Sequence, residues 1–200
     1  HVQPHVVMLQ EAFTPAARAI GQRGGYRYSV DGPGAADSNN APSPGALRDF
    51  VAAASIWNKL EAGLGDLTQP ETILASNEDT LRSFGLSRQK QSYAFSLARL
   101  VADGELDLAS LPEDDEEAIA RMTQVKGIGR WSAEIYLLFA EGRPDIWPAG
   151  DLAVQIEVGR ILGLPERPSE RKVRDLAEPW LPHRGAAAVL TWHHYNTETI

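Results

Sequence analysis

The sequence predicts an all-α protein preceded by an irregular, Gly/Pro-rich N-terminal segment. From Ala46 onward, apolar residues recur at steps of three and four, the spacing of a single buried helix face. Pro, Gly and capping residues separate these stretches at helix-length intervals. Strand-like alternation is confined to one short run at residues 26–30.

The elements follow in order. Residues 21–46 are rich in Gly, Pro, Ser, Asn and Asp and read as a long loop. Residues 1–45 are therefore assigned to the irregular segment, and 46–200 to one helical domain. Leu47, Phe50, Val51, Ala54 and Trp57 mark the first helix face. Pro70 suits the first turn of a short helix, and Ser76-Asn77-Glu78 caps the next, which Gly85 ends. In "LSRQKQSYAFSLARLVADGEL", Tyr93, Leu97, Leu100 and Val101 share a face. "LPEDDEEAIARM" carries its acids in the first turn, where they complement the helix dipole. Beyond Asp151 come "DLAVQIEVGRILGL", "SERKVRDLAEPWL" and "RGAAAVLTWHHY", three further helical patterns.

Composition narrows the function. Two hundred residues can bury a core without covalent staples. The absence of cysteine excludes disulfides, a thiolate zinc site and a cysteine-held iron–sulfur cluster. No apolar run is long enough to span a membrane, so the expectation is a soluble, intracellular protein. A net charge of −8 and a pI near 5.1 argue against a surface covered in phosphate-binding lysines, although a small local footprint can still be basic.

The stretch "IARMTQVKGIGRWSAEIYLLFA" poses the central question. Ile119, Met122 and Val125 close one helical pattern, and Trp131, Ile135, Leu138 and Phe139 open another. Between them stand Gly127, Ile128 and Gly129, flanked by Lys126 and Arg130. Glycine supplies positive φ and lets another backbone approach closely, and Ile128 can plug the core. That accounts for the glycines but not for the cations. A second explanation is that bare N–H groups at a helix N-terminus, with positive charge beside them, hold a phosphate. Packing and phosphate binding are both open on spacing alone.

"VKGIGRWSAEIYLLFA" resembles the helix-hairpin-helix of the DNA glycosylase superfamily, here spanning about residues 113–141. As in that superfamily, a Gly/Pro-rich loop, "GRPDIWPAGDLAVQ", leads to an aspartate, Asp151, 22 residues beyond Gly129. The stretch "GLSRQKQSYAFSLARLVADGELDL" and the closing "RGAAAVLTWHHY" are similar to the alkyladenine (3-methyladenine glycosylase II) branch. The resemblance implies a helix-hairpin-helix glycosylase fold. It implies an enzyme that flips out and excises alkylated purines from double-stranded DNA as a monomer, starting base excision repair. Such an enzyme would work in a bacterial cytoplasm at the nucleoid, or in a eukaryotic nucleus.

The resemblance assigns Val125, Lys126, Gly127, Ile128, Gly129 and Arg130 to the DNA backbone and Asp151 to catalysis. Base release builds oxocarbenium-like charge on the sugar, which a carboxylate stabilises; the same group could instead activate the water. An Asp at a helix start is also an ordinary N-cap. Trp131 and Trp192, with Tyr136 a weaker candidate, fall where the family places pocket aromatics, and a tryptophan face attracts a cationic base; on helical spacing alone they are equally core residues. Bifunctional members carry a Schiff-base lysine two residues past the second hairpin glycine. Trp131 occupies that position here, which implies a monofunctional enzyme without lyase activity. No cofactor is required. Members often bind a sodium or potassium ion on hairpin carbonyls, here those of Thr123, Val125 and Ile128.

Trp57, Trp147 and Trp180 read as core or loop anchors, and His193 and His194 as solvated or core histidines. Lys126, Arg130, Arg143, Arg88 and Lys90 are the cations expected near the hairpin. The family's Gln/Ser-rich segment ahead of "GALRDFVAAASIWNKL" is not recognisable, so the wedge residue is unassigned. Two rivals remain: a catalytically weak or inactive helix-hairpin-helix DNA-binding module, and an acidic helical interaction domain whose glycine turn serves packing alone.

Overall fold

The computed structural model describes residues 55–197. The irregular segment 1–45, the strand-like run at 26–30 and the first positions of the opening helix (Leu47, Phe50, Val51, Ala54) lie outside the described residues. The described residues are mainly helical, with no strand among them, as the periodicity predicts. They fall into two compact units that divide between Gly129 and Arg130.

The first unit opens with α1, residues 55–64. Gly65, at φ +92°, turns the chain out of it. The Asp66 carboxylate then accepts from both the amide and the hydroxyl of Thr68, which holds its pKa below the ordinary carboxylate value. α2, Pro70–Leu74, begins on its proline. α3, Glu78–Ser83, is capped by Asn77, whose side chain accepts from the Thr80 amide at 2.8 Å. Gly85, at φ +104°, ends it. α4, Arg88–Ala102, starts at Ser87. α5, Asp115–Met122, is capped by Asp114 and carries Asp115, Glu116 and Glu117 in its first turn.

Leu60, Leu67, Leu81, Leu86 and Ala94 form a core, with Trp57, Ile73 and Phe84 packed against it. Each buried leucine contributes about 1.5–3 kcal/mol. The buried stripe of α4 is Gln91, Ala94, Leu97 and Ala98. Of the expected face only Leu97 lies on it, and Tyr93, Leu100 and Val101 are half-buried on its flank. The alanines, weak in any hydrophobicity pattern, admit close neighbours. The Gln91 side-chain nitrogen donates to the Leu86 carbonyl at 2.8 Å, while its oxygen is buried without a hydrogen-bond partner among the described residues.

The second unit holds α6 (Arg130–Phe139), α7 (Leu152–Ile161), α8 (Glu170–Leu176), a single 3-10 turn at Glu178–Trp180 and α9 (Arg184–Thr197). α6 is buried almost all round, from Ser132 to Leu138. α9 lies along α7 and is clamped near both ends. At its start the Arg184 guanidinium forks onto the Asp145 carboxylate, at 2.9 and 2.7 Å. Farther along, His194 hydrogen-bonds to the fully buried Glu157, which also receives Arg160 at 3.3 Å. Between those clamps Gly185 comes so close to the Pro144 carbonyl that a Cβ would stand 2.6 Å from it. No helix among the described residues is long and apolar enough to cross a membrane.

Candidate active site

The 123–129 turn closes the first unit. Val125 and Ile128 are buried. The Ile128 amide donates to the Val125 carbonyl at 3.0 Å, and the Lys126 amide donates to the Ser96 hydroxyl at 3.0 Å. The amides of Thr123, Gln124 and Val125 donate to the Ile119, Arg121 and Met122 carbonyls, so five of the seven amides in this stretch are already used. Gly127 and Gly129 keep N–H groups without an acceptor among the described residues.

The two glycines differ. Gly127 has φ +89°, and a Cβ there would stand 2.5 Å from the Tyr93 ring. Gly129 lacks the positive φ expected of it, and a Cβ there would meet nothing within 4 Å. Packing explains the first glycine and leaves the second unexplained. Lys126 is exposed, with no acidic partner among the described residues.

Two of the cations expected beside the turn are committed elsewhere. Arg130 donates to Glu134 at 2.9 Å, one helical turn along α6. Arg143 pairs with Glu141 at 2.9 Å.

The second unit brings Asp151 together with both candidate tryptophans. Asp151 caps α7, its Oδ1 accepting from the Val154 amide at 3.0 Å. The same oxygen accepts from the Trp192 indole N–H at 3.1 Å, and Oδ2 accepts from the Trp131 indole N–H at 3.0 Å. A carboxylate offers about four acceptor positions, so three are taken and the free one lies on Oδ2. Cap and candidate catalyst are the same side chain, and the two readings of Asp151 do not compete.

Trp192 stacks on Phe139, with centroids 5.7 Å apart and planes 29° from parallel. Trp131 is 43 % exposed, so its ring borders solvent while its nitrogen holds the carboxylate. Tyr136, the weaker pocket candidate, is 1 % exposed and sits inside the core, unlike Trp131. Burial, with the nearby Glu141 charge, pushes its hydroxyl well above the ordinary tyrosine value. Five residues separate it from Trp131, which carries it roughly 140° round α6 to the covered side.

The loop into Asp151 is held from behind by two of the expected anchors, Trp147 and Trp180, and by Gln155 and Arg174, which the sequence reading missed. The Trp147 indole donates to the Val173 carbonyl at 3.1 Å, and Trp147 meets Trp180 edge-on at 5.2 Å, consistent with anchoring roles for both. Gln155 donates to the Ala149 carbonyl at 2.9 Å. Arg174 reaches the Trp147 carbonyl, Glu170 and Glu134. Burial pushes the Glu134 carboxyl above its ordinary range, against the pull of Arg174 and Arg130. The pairs Arg130–Glu134 and Glu170–Arg174, each four residues apart, were the sequence signals for this network.

Residues 49–183 match the model of the HhH-GPD superfamily base excision DNA repair protein family. The chain belongs to that family. Within the family it is similar to DNA-3-methyladenine glycosylase 1 of Schizosaccharomyces pombe, 33% identical over 70% of this chain and 64% of the relative. It is also similar to a putative DNA-3-methyladenine glycosylase of Bacillus subtilis, 30% identical over 62% of this chain and 44% of the relative. The chain thus spans about half to two thirds of the length of these two relatives. A solved structure of a Schizosaccharomyces pombe 3-methyladenine DNA glycosylase in complex with abasic DNA superposes with a TM-score of 0.60. It is 26% identical, over 94% of this chain and 81% of that one.

Proposed function

We propose that this chain is a monofunctional DNA glycosylase that releases alkylated purines from double-stranded DNA by hydrolysis of the N-glycosidic bond. One observation carries the reading: a half-buried carboxylate, Asp151, is gripped by two indole N–H groups whose rings are the candidate walls for a base. All three of its partners are donors, which suits a fixed negative charge. An oxocarbenium-like sugar about 4 Å from that charge gains roughly 4 kcal/mol at an effective dielectric near 20, about three orders of magnitude in rate.

Alkylation makes the base cationic, so it leaves without a strong general acid, and the exposed face of Trp131 attracts it. Trp131 stands where a Schiff-base lysine would be needed for strand cleavage, so the product is an abasic site. Lys126 and the open amides of Gly127 and Gly129 would take the DNA backbone. No cofactor takes part in this chemistry. A sodium or potassium ion would sit on the Thr123, Val125 and Ile128 carbonyls. The Val125 oxygen already accepts from Ile128, leaving it a single lone pair for the ion.

The test is base release from a duplex carrying one methylated purine, comparing the wild type with Asp151→Asn, with alkali used to reveal abasic sites. Asn still caps a helix, so the variant should fold and bind DNA while base release falls about 100- to 1000-fold. Equal release by both proteins would remove Asp151 from the chemistry. Binding by both with no release from any lesion would leave a DNA-binding module.

A further inference from the structure

Arg174 lies on α8 and touches neither Asp151 nor the two tryptophans, yet its three acceptors belong to three separate supports of the site. One guanidinium nitrogen donates to Glu134 Oε1 at 2.9 Å and to Glu170 Oε1 at 2.8 Å. The other reaches the Trp147 carbonyl at 3.4 Å. Glu134 sits three residues after Trp131 on α6 and is 2 % exposed. Trp147 begins the short loop that ends at Asp151. The Glu170 carboxylate lies along that loop, so close that a Cβ on Gly150 would be 3.5 Å from it.

Resting on the glycosylase reading, we propose that Arg174 is a positioning residue for base release. It ties the helix that carries Trp131 to the loop that carries Asp151, so that the indole N–H meets Oδ2. A planar guanidinium with five donors can serve three acceptors in fixed directions, whereas an ammonium on a flexible stem cannot.

The surroundings leave little slack. Glu134 Oε1 is shared by Arg130 and Arg174, while Oε2 is buried without a hydrogen-bond partner among the described residues. Removing Arg174 leaves a buried carboxylate with Arg130 as its one remaining cation and frees the Trp147 carbonyl. Both changes press on the two segments that must stay in register. Displacements near 1 Å at a reacting group cost about 100-fold in rate.

The experiment compares the wild type, Arg174→Ala and Arg174→Lys in three measurements: single-turnover base release, affinity for an abasic duplex, and the indole N–H resonances in a ¹H–¹⁵N spectrum. Trp131→Phe and Trp192→Phe identify the two resonances that matter. In Arg174→Ala the Trp131 resonance should move and release should slow by about 10- to 100-fold, while affinity stays within about threefold. Free guanidinium ion, kept below denaturing concentrations, should restore both the resonance and the rate. Lysine should restore neither in full.

An unmoved Trp131 resonance in Arg174→Ala would overturn the proposal. So would a folded variant that guanidinium does not rescue. Should Arg174→Ala fail to fold, Glu134→Gln carries the same test, because it weakens the same tie while keeping the side chain's shape. A wild type that releases no base, in which the Trp131 resonance nevertheless answers to Arg174, would refute the glycosylase reading and leave the positioning role standing.

Discussion

Gly127→Ala and Gly129→Ala should separate the two reasons a chain has for placing glycine in a turn. At Gly127 an alanine would have to hold φ near +89° with its Cβ 2.5 Å from ring carbons of Tyr93. The backbone strain costs about 1–2 kcal/mol, and moving a half-buried aromatic ring adds about 1–3 kcal/mol. The expected loss is therefore roughly 2–5 kcal/mol, summed from those two sources. At Gly129 the Cβ would meet nothing and φ is not positive, so stability should hold or rise by up to about 1 kcal/mol. Chemical denaturation measures both changes, and duplex binding should rank the variants differently. Gly129→Ala, stable as it is, should bind DNA more weakly, because its methyl group stands where a phosphate would approach. Equal stabilities for the two variants would refute the steric argument. A Gly129→Ala protein that binds as tightly as the wild type would refute the idea that the open space serves DNA.

Trp131→Phe keeps a ring and removes the indole N–H from Asp151 Oδ2. Base release should slow about 10- to 100-fold, the worth of one hydrogen bond to a charged group, with little change in melting temperature because a ring still fills the site; an unaltered rate would show that the contact is idle. Asp145 gives a pH signature. Burial works to raise its carboxyl pKa, but the Arg184 hydrogen bonds and charge outweigh it and hold the value below the ordinary range. Its stabilisation is therefore present above the unfolded-chain value near 4 and is lost as pH falls through the lower folded value. Asp145→Asn should cost about 1–2 kcal/mol at neutral pH, and the gap should close below about pH 4; a gap that stays constant into strong acid would sink the assignment. Because Arg130 and Arg143 are paired with glutamates, DNA binding should rest on few phosphate contacts. The slope of log affinity against log salt should then stay below about 4 in magnitude, and a steeper one would show that those pairs open on DNA.

What could be read from the chain was local. Pro70, Asn77, Gly85 and the acids ahead of Ala118 mark element ends because caps and dipoles act within one turn. The partnership of Asp151, Trp131 and Trp192 was legible through a resemblance, not through periodicity, since their separations of 20 and 41 residues carry no pattern of their own. The Arg174–Glu134 tie spans 40 residues between two unremarkable polar positions. Nothing in either neighbourhood marks it. Arg130, assigned to the DNA backbone by the resemblance and by its place beside the turn, pairs with Glu134 in this structure, a glutamate visible four residues on. Gly127 and Gly129 look alike as letters, and only the fold tells them apart, by a positive φ and the Tyr93 ring at the first.

That one carboxylate both starts α7 and faces the two indoles constrains how this chain could lose its activity. Most replacements at Asp151 would unravel a helix start and damage the protein along with the reaction. Asparagine is the exception: its oxygen can keep the Val154 amide and the Trp192 indole, while its amide nitrogen would face the Trp131 donor and the charge would be gone. On the glycosylase function proposed above, such a copy would fold and settle on DNA but release no base. Expressed beside the active form, it would compete for damaged sites and shield them, so a single base change would turn that enzyme into an obstacle to repair.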